Sequence, residues 1–177
     1  YHSRSVESVA NDIEYIHRTY GHHSSLLRGN DNRLVLYVYD SYHISPMYWA
    51  RLLTEKGDIS MRNTDIDSIM IGLWLHHHHG RDLVESGFDG FYTYFGTDGF
   101  SYGSTTSNWN SMCRFAAFHD MLCDLSVGPG YNDSLIRPWN THNSRSRAEG
   151  RYYSRMWEKA LKAVPHLVSI TSYNEWG

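Results

Sequence analysis

Glu175 closes an apolar stretch of strand length and sits between Asn174 and Trp176. A carboxylate kept at the end of a buried strand, beside an indole, is costly unless it has a partner or a task. Polar and aromatic residues recur at equivalent places directly after other apolar runs: Tyr39-Asp40-Ser41-Tyr42-His43, Trp74-Leu75-His76, Tyr92-Thr93-Tyr94 and Ser126-Val127-Gly128-Pro129-Gly130-Tyr131. In α/β proteins the carboxyl ends of the strands carry the site. Hydroxyls, rings, an imidazole and the carboxylates of Asp40 and Glu175 gathered there suit a sugar-processing cleft better than a packing surface. The segments expected on the other side, Gly29 to Asn32 and Glu55 to Asp58, carry only turn chemistry. Asp40 keeps two readings, a ligand contact or a cap for the following turn.

The elements that must position these residues alternate along the chain. Val6, Val9, Ile13, Ile16 and Tyr20 recur at helical steps, with Ser5 to cap the start and Gly21 to end the turn. Leu34 to Tyr39 reads as a strand buried on both faces. Pro46 opens a short helix through Trp49, Leu52 and Leu53, and the run Ile69 to Trp74 is the next strand. A short helix around Arg81 to Glu85, a strand from Phe88 to Tyr94, a helix from Ser107 to Ala116 and a strand from Met121 to Val127 continue the pattern. The last helix is expected to start on a capping box, Ser146-x-x-Glu149, to bury Tyr153, Met156, Trp157, Ala160, Leu161 and Val164, and to end at Pro165. A strand from His166 to Ser172 follows. Right-handed crossovers make such a series a parallel sheet, either open and doubly wound or closed as a barrel.

Composition narrows the function classes. The 177 residues suit a single domain with one core, and 41% hydrophobic with 20% charged residues is ordinary for a globular chain. A net charge of −3 with scattered Lys and Arg argues against a nucleic-acid partner. No run approaches the roughly 20 apolar residues of a membrane span, and no Gly-rich nucleotide motif follows a strand. Fifteen per cent of the residues are aromatic, which serves either an aromatic-rich core or stacking on sugar faces. Cys113 and Cys123 are read as buried small residues, too few for a disulfide scaffold. The run His76 to His79 lacks the ligand spacing of a tetrahedral zinc site and is read as a solvated loop, as is His22-His23. Neither a metal nor a cofactor is called for. Asn132-Asp133-Ser134 is a glycosylation sequon in a rim loop.

Four stretches resemble glycoside hydrolase family 99, the endo-α-1,2-mannosidases: Tyr37 to His43, Gly87 to Phe95, Ser126 to Asn140 and Ser169 to Trp176. The resemblance implies a partial (β/α)₈ TIM barrel, about five β/α units from its middle and later part. It implies a retaining glycosidase that cuts an internal α-1,2-linked mannose branch from glucosylated high-mannose N-glycans, located on the lumenal side of the Golgi membrane with its anchor expected upstream of Tyr1. By the same resemblance Glu175 is a general base toward the sugar's own 2-hydroxyl, which attacks the anomeric carbon to give a 1,2-anhydro intermediate. The general acid is expected just beyond Gly177. An axial 2-hydroxyl trans to an axial leaving group makes that internal attack stereochemically sound. Substrate contacts carried over are Tyr94, Tyr131, Arg137, Trp139, Asn140 and Asn174, with Asp40, Tyr42 and His43 from the first strand end; Arg137 can instead be a structural ion pair. Gly177, where many members have His, and the four-histidine run depart from the family pattern. Two other readings remain: a non-catalytic carbohydrate-binding relative, and an open-sheet α/β binding domain. The isolated chain is expected to be inactive and poorly stable, because five strands leave sheet edges and barrel interior exposed.

Overall fold

A computed structural model describes residues 4–133 and 144–172. The chain divides into two compact units, one of residues 1–73 and 78–90, the other of residues 74–77 and 91–177. The main sheet has five strands in the order Leu34–Val38, Ser68–Leu73, Gly90–Tyr92, Leu122–Val127 and Leu167–Ile170.

The first unit starts with helix α1 (Val6–Tyr20), which buries Val6, Val9 and Ile13. Ser5 caps it as expected: its side chain accepts from the Ser8 amide, and the Ser8 hydroxyl reciprocates on the Ser5 amide. Strand β1 (Leu34–Val38) pairs in parallel with β2 (Ser68–Leu73), Leu34 facing Ser68 and Val38 facing Gly72. All of β2 is buried. The expectation that β1 is buried on both faces fails, because Tyr37 is 41% exposed and only Leu34 and Val38 are fully covered. The physical reason is its place at the end of the strand order, which covers it less than the central β2.

Between these strands, α2 (Pro46–Leu53) starts on its proline and buries Trp49, Leu52 and Leu53. Each such side chain contributes about 1.5–3 kcal/mol on burial. Helix α3 (His79–Ser86) ends at Gly87, whose φ of 82° suits glycine. It lies so near β2 that a Cβ on Gly72 would collide with Leu83 and crowd Phe88.

In the second unit, β3 (Gly90–Tyr92) continues from the first, and α4 (Trp109–Phe118) packs on β4 (Leu122–Val127) through buried Trp109, Met112, Cys113 and Ala116. Here the reading of two separate small residues is corrected: Cys113 and Cys123 are joined in a disulfide, with Cα atoms 5.3 Å apart. Ten residues separate them in sequence, and the return from α4 into β4 brings them face to face. A two-stranded ribbon, β5 (Tyr131–Asn132) with β6 (Ser144–Arg145), was not expected. Helix α5 (Arg151–Lys162) leads to β7 (Leu167–Ile170), which pairs in parallel with β4.

Two expectations about α5 need correction. The capping box does not form: Ser146 Oγ accepts from the Ala148 amide, Glu149 has a φ of 55°, and the helix starts after Gly150. The buried face is Tyr152, Met156 and Ala160, whereas Leu161 is exposed and Val164 is 80% exposed. Tyr152 takes the inner position because its hydroxyl donates to the Gly96 carbonyl (2.7 Å) and accepts from the Asp98 amide (3.0 Å).

Candidate active site

In the first unit the residues after β1 form a short 3₁₀ turn, Ser41–His43. Ser41 is buried and locks this turn in place: its hydroxyl accepts from the Leu73 amide (2.9 Å), and its carbonyl accepts from Trp49 Nε1 (2.8 Å). Asp40 precedes the turn with a φ of 54° and makes no side-chain cap. Its carboxylate instead accepts from the Tyr42 hydroxyl at 2.7 Å and faces His43 Nε2 at 3.7 Å. Of the two readings of Asp40, the capping one is therefore set aside. Tyr42 also stacks on His79, with ring centroids 5.2 Å apart and planes at 23°. Asp40, Tyr42 and His43 are thus one connected group.

The four-histidine run is only partly the solvated loop that was expected. His76, His77 and His78 are exposed, but His79 is the first residue of α3 and only 5% exposed. Its ring is drawn inward by the stack on Tyr42, a tertiary contact that adjacent histidines do not announce in sequence.

In the second unit the ends of β3, β4 and β7 converge. A Cβ on Gly96 would stand 2.9 Å from the Gly128 Cα, and one on Gly128 would stand 3.2 Å from the Thr171 carbonyl oxygen. Only glycine at 96 and 128 permits this approach. Tyr94 lies just before it, half-buried with a φ of 54°, its ring edge-on to Tyr92 and Phe95. The loop after Tyr94 is held by Asp98, whose carboxylate accepts from the Thr106 amide (2.8 Å), by the Tyr152 hydroxyl, and by Arg145, which donates to the Asp98 carbonyl (2.7 Å). Tyr131, on β5, is exposed, and its hydroxyl lies 3.4 Å from the Asp133 carboxylate. Asn132, of the sequon, is exposed on the same strand.

Arg137, Trp139, Asn140, Asn174 and Glu175 lie outside the described residues. Sequence reasoning missed Asp98, Tyr152 and His79; for Tyr152 the i, i+4 spacing with Met156 and Ala160 was the available signal.

A model described as glycosyl hydrolase family 99 matches residues 1–177. The chain belongs to glycosyl hydrolase family 99. A mouse glycoprotein endo-alpha-1,2-mannosidase-like protein is 44% identical over 99% of the chain, which spans 40% of that protein. A Xenopus laevis glycoprotein endo-alpha-1,2-mannosidase is 45% identical over 99% of the chain, again 40% of its own length. The solved structure of the GH99 endo-alpha-mannosidase from Bacteroides thetaiotaomicron superposes with a TM-score of 0.94 at 44% identity, covering 98% of this chain and 51% of that one. The five parallel-sheet strands and their helices are therefore a stretch of the family's (β/α)₈ barrel, and the open doubly wound alternative is set aside. The chain spans two-fifths to half the length of the relatives it matches.

Proposed function

We propose that the whole protein containing this chain is a retaining endo-α-1,2-mannosidase acting on glucosylated high-mannose N-glycans. The observation that carries this reading is 44% identity at a TM-score of 0.94 with a GH99 endo-alpha-mannosidase, extending across nearly the whole chain. Glu175 is the base that deprotonates the substrate's 2-hydroxyl. The oxygen attacks the anomeric carbon from the face opposite the leaving group, and a second carboxylic acid protonates the departing oxygen. Water then opens the 1,2-anhydro sugar, so two inversions give net retention.

Tyr94, Tyr131, Arg137, Trp139, Asn140 and Asn174 are proposed glycan contacts, as are Asp40, Tyr42 and His43. Exposed rings such as Tyr42 and Tyr131 offer flat faces for sugar C–H groups and hydroxyls for hydrogen bonds. A lumenal secretory location, the Golgi, accords with the animal relatives and with the Cys113–Cys123 disulfide, a bond favoured in oxidising compartments. Among the described residues no helix is long and apolar enough to cross a membrane. With two-fifths of the relatives' length, the 177-residue stretch alone is expected to be inactive.

The test is incubation of the whole protein with a glucosylated high-mannose glycan, following the released oligosaccharide and its anomer. Release of the α-anomer first, with kcat down roughly 10²–10⁴-fold in Glu175→Gln, is expected. Glycan binding without release would instead establish the non-catalytic carbohydrate-binding reading, and full activity in Glu175→Gln would remove that residue from the chemistry.

A further inference from the structure

The histidine run contains more than solvated side chains. Its last two members and a carboxylate one helical turn further on, His78, His79 and Asp82, place one potential ligand atom each within 4.8 Å of one another. Adjacent histidines lack the spacing of a zinc site while the run is read as a loop. Winding of α3 from His79 supplies the missing carboxylate, because Asp82 returns beneath His78, Oδ2 lying 3.7 Å from His78 Nε2.

We propose that His78, His79 and Asp82 bind a divalent transition-metal ion of the zinc class. Two imidazoles and one carboxylate, with solvent completing the shell, are the donor set of open zinc sites. Imidazole ligation selects zinc, copper or nickel over magnesium and calcium. Ligand atoms around a tetrahedral zinc stand roughly 3.3 Å apart, given metal–ligand bonds of about 2.0–2.1 Å. The cluster must therefore contract by up to about 1.5 Å. His79 is the fixed member, buried and stacked on Tyr42, and the 69% exposed His78 side chain stands edge-on to it with ring centroids 4.6 Å apart. The dipole of this short helix opposes a cation at its start, an effect small beside metal–ligand bonding. Bound metal would brace the first turn of α3 against Tyr42.

Zinc chloride titrated into the whole protein, followed by calorimetry, tests the site. One ion per chain is expected, with affinity at least ten-fold weaker in His78→Ala and in Asp82→Asn. Both positions are solvent-accessible, so the two variants retain the fold where a change at buried His79 would threaten it. A His76→Ala, His77→Ala double variant is expected to bind like the parent. Undiminished binding in both His78→Ala and Asp82→Asn, loss of binding in the double variant, or no zinc uptake at all would overturn the proposal.

Discussion

The two ends of the β1–β2 pair in the first unit are built on opposite principles. At the amino ends, charge is saturated. The Arg62 side chain, only 10% exposed, donates to the carbonyls of Leu53, Ser68 and Gly87 and to the carboxylates of Asp67 (3.0 Å) and Asp89 (2.8 Å). Asp89 also accepts from the Met70 amide, and Arg33 reaches Asp31, Asp67 and Asp89. At the carboxyl ends, Asp40, Tyr42, His43 and His79 form a looser group of one short hydrogen bond, one longer ion contact and ring stacking, with Tyr42 and His43 open to solvent. Barrel enzymes concentrate stability at the first end and chemistry at the second. The contrast teaches that a polar cluster is read by how completely its groups satisfy one another.

Substitution at Arg62 should break the comparison most visibly. Arg62→Ala leaves Asp67 and Asp89 without their main cation and removes a donor from three carbonyls, which is expected to cost about 3–5 kcal/mol. Urea unfolding measures it. A loss under 1 kcal/mol would show that the amino-end network is decorative.

Arg33→Ala at the same end should cost about 1 kcal/mol or less, since its side chain is about a third exposed and two of its three ion contacts are long. The difference between the two arginines, in the same unfolding experiment, separates burial from mere charge pairing.

How much of this was visible in the sequence follows the same division. Local signals carried the elements: Ser5 caps α1, Pro46 starts α2, and the apolar run from Ile69 lies in the fully buried β2. Strand-end placement singled out Asp40, Tyr42, Tyr94 and Tyr131 as expected glycan contacts, because side-chain chemistry after an apolar run needs no tertiary knowledge. What escaped depends on distant partners. Tyr152 turns inward for Gly96 and Asp98, 56 and 54 residues away, so the α5 face was read one residue out. The Cys113–Cys123 bond and the inward His79 likewise follow from where α4 meets β4 and where Tyr42 lies. The Arg62 hub, reaching 27 residues to Asp89, had no sequence signature at all.

A smaller effect distinguishes the two ends through pH. His17 Nε2 lies 2.7 Å from Ser68 Oγ at the start of β2, and burial, reinforced by the Arg28 charge, pushes its pKa below the ordinary 6.5. The folded state therefore holds its proton less tightly than the unfolded state. The associated stability is complete above pH 6.5 and is lost as pH falls through the window beneath it. In His17→Gln the decline in unfolding free energy from pH 6.5 downward should be shallower. An identical decline would assign that pH dependence to other groups.

The smallest stability change is expected at the carboxyl end, and it is the one that sharpens the contrast. Tyr42→Phe removes only the hydroxyl that donates to Asp40 at 2.7 Å, on an exposed side chain whose stack on His79 survives. Its cost to stability should stay within about 0.5 kcal/mol. If Asp40 and Tyr42 contact the glycan, the variant loses one sugar-facing hydroxyl and frees the Asp40 carboxylate to rotate. The whole protein should then show a higher KM for the glycan, with urea unfolding nearly unchanged. Arg62→Ala should give the reverse pattern, a large stability loss with KM unmoved while the protein stays folded. Equal KM in Tyr42→Phe and the parent would remove this group from the binding surface and leave it, like the amino-end network, a matter of structure alone.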